Sequence, residues 1–183
     1  MNSYIMDEIP NLSEAYLARC IKTLKEWTAP LNDWYCTEVI DMCEDDEDSP
    51  LAECELCGCK NVRYVHRMEH QVYFEYVDVG CICAGIMEGD VLRAKERDRL
   101  MKNRSKRRRA FIKKKWKEIR CNVYMRRYNS KELYIFRNGD YYGVNVGSRY
   151  VWKYKGKPIN NFISAMYAAF DMADPVEEIR KKR

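Results

Sequence analysis

Two close pairs of cysteines constrain the fold of this chain more than any other feature. Two residues separate Cys54 from Cys57, and Cys81 and Cys83 follow after a segment of hairpin length. Four thiolates satisfy a zinc ion tetrahedrally, without redox chemistry and without an open position for a substrate. The spacing therefore predicts a zinc ribbon over residues 51–89, in which zinc is a structural cofactor bound by all four cysteines.

The spacing of the second pair leaves the ligand set open. A single residue separates Cys81 from Cys83, and Cys59 is near enough in sequence to replace Cys81. A cluster of reduced structural cysteines and a reactive redox site are the alternative interpretations. The remaining cysteines stand alone in the sequence, and each is expected to be a buried small apolar side chain: Cys20, Cys36, Cys43 and Cys121.

The cysteine content also bears on the compartment. The chain has 9 cysteines, an odd total, which suits reduced thiols and metal ligands better than disulfides. No run reaches the roughly 18 apolar residues of a membrane span, and the N-terminus lacks the basic start and apolar block of a secretory signal. The sequence predicts a cytoplasmic protein without a membrane partner.

The net charge of +5 hides two opposed blocks. Residues 1–60 carry 14 acidic and 4 basic side chains, whereas residues 93–120 carry 15 basic and 3 acidic ones. Residues 102–109 include no apolar side chain, so the middle of a helix over 90–120 is expected to be solvated or bound to an anion. Phosphates relieve such self-repulsion and release counterions on binding, which favours a nucleic-acid partner.

The predicted phosphate contacts are the most closely spaced cations of this basic helix: Arg104, Lys106, Arg107, Arg108, Arg109, Lys113, Lys114, Lys115 and Lys117. Phe111 and Trp116 keep the spacing of core anchors. Two alternatives remain open for the helix. It is solvated or neutralised by the acidic N-terminal block, or it binds an acidic protein partner.

The first 50 residues predict an acidic helical segment followed by a linker. Asn11 or Ser13 can cap a helix that ends near Trp27, because apolar residues recur there every three or four positions. A second short helix is expected over 31–43.

Within the ribbon, strands are expected over 61–67 and 72–79, around a turn near residues 69–70. This places His66 and His70 towards the tip of the hairpin, away from the sulfurs, and they are expected to be polar surface residues there. The alternative is a metal-dependent nuclease that uses His66, Glu69 and His70. No carboxylate cluster of the two-metal kind supports it.

The last third of the chain predicts an antiparallel β-meander of three or four strands and one covering helix over 121–175, followed by a charged tail over 176–183. Asn138-Gly139 is a strong tight-hairpin signal, and the covering helix is expected over 159–172. The strands are rich in tyrosine, tryptophan and arginine. A sheet that displays such residues can lie in a groove or carry stacked bases, although alternation must bury about half of the rings.

Residues 54–88 resemble a family of small, uncharacterised bacterial and phage zinc-ribbon proteins. The similarity rests on Cys-Glu-Leu-Cys-Gly, Arg-Tyr-Val-His-Arg-Met-Glu-His and Val-Gly-Cys-Ile-Cys-Ala-Gly-Ile-Met-Glu, and it extends through the basic helix to about residue 173. The resemblance implies an architecture and no established activity. The C-terminal strands and Ala168-Ala169-Phe170-Asp171 are more weakly similar to the DNA-binding unit of AP2-type domains.

These observations predict an α+β protein with an acidic helical N-terminal segment, a zinc ribbon, a long basic helix and a β-meander with one covering helix. The expected function is non-catalytic, zinc-stabilised binding of DNA or RNA. The first alternative is a phage- or host-borne protein–protein regulator or inhibitor of a nucleoprotein machine, with the acidic segment at its interface. The nuclease is the second alternative.

Overall fold

A computed structural model of the protein describes residues 12–176. The candidate cap Asn11 and all but the first residue of the predicted tail lie outside this range. The described chain divides into two compact units, one ending at Asn103 and one beginning at Arg104. Both units combine helices with antiparallel strands, which confirms the α+β class.

The first unit contains a three-stranded antiparallel sheet in the order β1-β2-β3. Its helices and strands, in chain order, are α1 (Glu14–Glu26), β1 (Tyr35–Asp41), β2 (Tyr64–His70), β3 (Tyr73–Val79), α2 (Cys81–Glu88) and α3 (Val91–Ile112), which continues past the unit boundary. The two predicted strands form as β2 and β3, but the turn between them lies at residues 71–72, beyond the predicted turn near residues 69–70, which belong to β2.

The predicted first helix forms as α1 and belongs to the core of the first unit. The Ser13 side chain accepts a hydrogen bond from the Tyr16 backbone N–H at 3.2 Å, which satisfies one of the free amides at the helix start. Cys20 and Leu24 on its inner face are both 0% exposed. They pack in one apolar cluster with residues of the cysteine-rich segment, including Cys54.

The prediction of a second helix over 31–43 is wrong, because this segment forms strand β1. Thr37, Val39 and Ile40 are β-branched residues, which suit a strand better than a helix. Val39 pairs with His66 of β2 and is buried. Pairing with β2 satisfies the backbone groups along the strand, whereas a helix of this length would leave a large share of them free at its ends.

The zinc-ribbon detail of the predicted fold is not confirmed. The β2–β3 hairpin forms, but the chain then enters helix α2, with Gly80 as its N-cap and Cys81 as its first residue. The second cysteine pair therefore lies in the first turn of a helix and not in a second tight turn. Cys81 and Cys83 point in different directions as a result, because residues two apart on a helix do not share a face.

The second unit is a five-stranded antiparallel meander covered by one helix. Its strands follow each other in the order β4-β5-β6-β7-β8, beside a two-stranded ribbon of β9 and β10. The bounds are β4 (Lys117–Arg120), β5 (Val123–Tyr128), β6 (Lys131–Asn138), β7 (Tyr141–Val146), β8 (Arg149–Val151), β9 (Lys153–Tyr154), β10 (Lys157–Pro158) and α4 (Phe162–Ala173). The predicted hairpin is confirmed, with Gly139 at φ +59° in its turn.

The basic helix is shorter than the predicted 90–120. Helix α3 ends at Ile112, the Lys114 N–H donates to the Phe111 carbonyl at 3.2 Å in a turn, and Lys117 begins strand β4. Trp116 packs against Phe111, with ring centroids 6.0 Å apart. Both rings pack in the core of the second unit, so the helix ends before Trp116. The last cations of the block therefore lie in a turn and a strand.

One face of the meander is buried against α4. Leu133 and Ile135 of β6 and Val144 of β7 are 0% exposed and pack with Phe170 of α4 and Phe111 of α3. The alternation of strand side chains then places the intervening residues on the opposite face. The sheet therefore has one face that α4 covers and one face that α4 leaves uncovered, and its aromatic rings are divided between these two faces.

Two arginines of α3 form ion pairs inside the second unit. Arg104 is 1% exposed and donates to the Asp171 carboxylate at 2.6 Å and to the Asp174 carbonyl at 2.8 Å. Arg108 donates to the Tyr154 hydroxyl at 2.9 Å, and that hydroxyl donates to Asp171 at 2.6 Å. The carboxylate of Asp171 thus balances two nearly buried guanidinium groups.

We expect Asp171→Asn to destabilise the second unit by roughly 3 kcal/mol, because removing one partner leaves a buried charge without compensation. Hydrogen exchange of buried α4 amides in the full chain measures this change. The control is Glu132→Gln, which removes the exposed ion pair to Arg127 and should cost less than about 1 kcal/mol. Equal effects of the two substitutions would contradict the role given to Asp171.

Candidate metal centre and nucleic-acid interface

Three of the four predicted ligands come together in the first unit. The sulfur atoms of Cys54, Cys57 and Cys83 lie within 4.8 Å of one another. Cys54 and Cys83 are each 1% exposed, and all three side chains belong to the apolar core or pack against it. This group of thiols could hold a metal ion.

The local fold of residues 54–58 places the first two thiols together. The Gly58 N–H donates to the Cys54 carbonyl at 2.8 Å, and Gly58 has φ +73°, which favours glycine. The Gly80 N–H, at the end of the hairpin, points at Cys54 Sγ at 3.3 Å. Hydrogen bonds from the Cys83 thiol and from the backbone amides of Gly80 and Cys57 lower the pKa of Cys54 to about 5, against the effect of burial.

Helix α1 brings two further groups to the thiols. The hydroxyl oxygen of Tyr16 lies 2.9 Å from Cys83 Sγ. Cys20, one turn later on the same helix, interacts with Cys83, which lowers the pKa of Cys20 and raises that of Cys83. Cys20 thus lies beside Cys83, although it is outside the group of three thiols whose sulfur atoms all lie within 4.8 Å of one another. Its only sequence signal is a place on the buried face of α1, where any small apolar residue would also fit.

Cys81 belongs to a different group. Its sulfur lies within 4.8 Å of ligand atoms of His66 and Asp98, so these three residues could also hold a metal ion. Burial raises the pKa of Cys81 to about 12, and the nearby Asp98 carboxylate raises it as well. The sequence pattern gave no reason to join Asp98, in the middle of the basic helix, to this cysteine.

The other candidates lie elsewhere. Cys59 is exposed and belongs to neither group of thiols, Cys43 is buried, and Cys121 is exposed, against its predicted burial. Of the nuclease candidates, His66 is 0% exposed, so its predicted surface position is wrong, and Glu69 accepts a hydrogen bond from the Thr37 hydroxyl at 3.1 Å. The His70 ring accepts one from the Val72 N–H and packs against Trp34.

The nine predicted phosphate contacts divide into two sets. Arg104 and Arg108 are engaged inside the second unit and offer no surface to phosphate, which corrects the predicted contact set. Arg107 is exposed but pairs with Asp174 at 2.7 Å. Arg107 belongs to the second, exposed set, together with six further residues: Lys106, Arg109, Lys113, Lys114, Lys115 and Lys117.

The uncovered side of the meander carries a continuous group of rings, called the aromatic face below: Tyr134, Phe136, Tyr150 and Trp152. Neighbouring ring centroids are 6.2, 5.7 and 5.5 Å apart along this series. Tyr150 and Trp152 are 48% and 40% exposed. Sequence reasoning noted the rings but did not identify which ones the sheet leaves uncovered.

Gly143 of β7 makes room for this arrangement. A Cβ atom at this position would lie 2.8 Å from the Tyr150 hydroxyl and 3.0 Å from the Trp152 ring. The Tyr150 hydroxyl and the edge of the Trp152 ring therefore occupy the space that a side chain at Gly143 would fill. Lys117 of β4 faces the same side, because it pairs with Met125 and Met125 pairs with Tyr134.

No protein-family model, curated protein or solved structure matches the chain, so the zinc-ribbon resemblance stays an expectation. Among the residues that the structure describes, no helix is both long and apolar enough to cross a membrane.

We expect Cys54→Ser to lower the metal content of the purified protein by one ion per chain, whereas Cys59→Ser should leave it unchanged. A chelator that strips the metal should also lower the thermal stability of the first unit, because a structural ion contributes its binding free energy to folding. Elemental analysis and circular dichroism measure the two effects. If Cys54→Ser retained the full metal content, the thiol group would not be the centre.

Proposed function

We propose that the protein is a non-catalytic, zinc-stabilised nucleic-acid-binding protein of the cytoplasm, in which single-stranded DNA or RNA stacks on the aromatic face. The observation that carries this proposal is the series of four rings on the side of the sheet away from α4, with the exposed Lys117 facing the same side. The proposed contact surface is therefore the sheet and the turn that follows α3, in place of the basic helix itself.

The donor set supports zinc as the metal of the first unit. Three thiols lie within 4.8 Å of one another, and with Cys20 as the proposed fourth ligand they would make an all-sulfur set, which suits zinc among the common cellular ions. Four thiolates close the coordination sphere, so the ion would stabilise the fold and take no part in a reaction. Free thiols in this number also suit a reducing compartment.

The spacing of the rings supports stacking as the mode of contact. Aromatic side chains on a sheet bind bases of any sequence, because every base has a π face. Tyr150 and Trp152 have enough exposed area to accept a base, at 48% and 40% exposed. Splayed, unpaired bases can reach such a surface, whereas the bases of a duplex remain stacked on each other.

The exposed lysines support phosphate contacts next to the rings. Lys113, Lys114 and Lys115 follow α3 in a short turn, and Lys117 lies on the edge strand of the same sheet. Their compact ammonium groups on flexible stems act as point charges that a flexible nucleic-acid backbone can meet. Lysines that contact only phosphate position a strand without reading its sequence.

We expect the double substitution Tyr150→Ala and Trp152→Ala to weaken binding of a single-stranded oligonucleotide of about 12 nucleotides by at least about 10-fold, because each lost stack costs about 1–3 kcal/mol. Fluorescence anisotropy with DNA and RNA strands measures the affinity. Phe74→Ala is the matched control, since this ring is fully exposed in the first unit. Unchanged affinity in the double variant, or equal loss in the control, would reject the aromatic face.

A second experiment tests the lysines. Replacing Lys113, Lys114 and Lys115 by alanine should reduce the slope of log affinity against log salt by about 2, since each phosphate contact on a single strand contributes about 0.7. The loss should be similar for all sequences. Replacing Lys22 and Lys25 of α1, which are equally exposed, should leave the slope unchanged, and an unchanged slope in the triple variant would exclude these phosphate contacts.

A further inference from the structure

We propose that His66, Cys81 and Asp98 form a second metal site in the first unit, which binds a zinc-class divalent ion through one nitrogen, one sulfur and one oxygen donor. The ligand atoms already lie within 4.8 Å of one another. A tetrahedral ion of this class requires donors roughly 3.3–3.8 Å apart. Small side-chain movements are therefore sufficient to close the site.

The strongest support is a buried nitrogen atom without a partner. His66 is 0% exposed, and its Nε2 atom makes no hydrogen bond within the described residues. The nearest carboxylate oxygen, Oδ1 of Asp98, is 3.9 Å away, which is beyond hydrogen-bond distance. A buried polar atom without a partner destabilises the fold, and a metal ion between Nε2 and the other two donors would supply the missing contact.

The surroundings hold each donor in a suitable orientation. The other ring nitrogen of His66, Nδ1, faces the Cys36 thiol at 3.9 Å, so a proton on Nδ1 leaves the Nε2 lone pair free for a metal. Lys102 binds Oδ2 of Asp98 at 2.6 Å, which leaves Oδ1 facing His66. Such outer contacts, which fix the tautomer and the carboxylate, are typical of metal sites.

The donor set and the position of the site distinguish it from the thiol centre. It joins β2, the first residue of α2 and the middle of α3, so an ion here would link the start of the basic helix to the three-stranded sheet. Three protein donors leave one position of a tetrahedral ion for water or another ligand. A mixed donor set also binds more weakly than four thiolates, so this ion should exchange first.

Metal stoichiometry of the full chain tests this proposal. After saturation with zinc and gel filtration, we expect two zinc ions per wild-type chain and one in Cys81→Ser and Asp98→Asn. The control His70→Gln should keep two, because His70 is outside the group. Cys54→Ser should also lose one ion, and the double variant Cys54→Ser, Asp98→Asn should lose both.

Cobalt(II) substitution provides a second measurement on any variant that folds poorly in zinc. With both sites filled, the wild type should have five cobalt–sulfur bonds, four at the thiol centre and one from Cys81. The intensity of the cobalt–thiolate absorption should therefore fall by about one fifth in Cys81→Ser, while Asp98→Asn should change the ligand-field bands without removing a sulfur bond. A wild-type chain that binds only one zinc, or Cys81→Ser and Asp98→Asn chains that both keep two, would overturn the second site. Neither result would bear on nucleic-acid binding.

Discussion

The first unit depends on the convergence of thiols from three separate parts of the chain in one dry core. Helix α1, the turn at 54–57 and the first turn of α2 each contribute, and no two of these segments are adjacent in sequence. A buried thiolate is costly unless a cation or hydrogen bonds balance it. A metal ion would remove this cost and would fix α1, the turn and α2 together, which is how a short, cysteine-rich segment can anchor a fold.

The second unit depends on a different interaction, the pairing of Arg104 and Arg108 with Asp171 under the meander. The same block of positive charge therefore has two roles along its length. Arg104 and Arg108 stabilise the contact of α3 with α4, whereas Lys106, Arg109 and the lysines beyond Phe111 are exposed. This division explains why a basic stretch need not be a basic surface, and why the uncovered rings of the sheet become the better candidate for contact with bases.

Local signals in the sequence predicted much of this structure, and non-local contacts account for the rest. The Cys54–Cys57 turn, the Gly139 hairpin and helix α1 are specified by residues within a few positions of each other. Strand β1 was predicted as a helix because its apolar residues also fit a helical spacing, and only pairing with β2 decides between the two. Cys20 and Asp98 join their groups through tertiary packing, for which a single sequence carries no pattern. The separation of Cys81 from Cys83 follows from the helix that begins at Cys81.

X-ray absorption at the zinc edge, on full-length protein loaded with one equivalent of zinc, tests the central claim most directly. One equivalent fills the tighter thiol centre first. The account predicts a first shell of four sulfur atoms at about 2.3 Å, supplied by the Cys20, Cys54, Cys57 and Cys83 thiols. A first shell made mainly of nitrogen or oxygen at about 2.0–2.1 Å would contradict it.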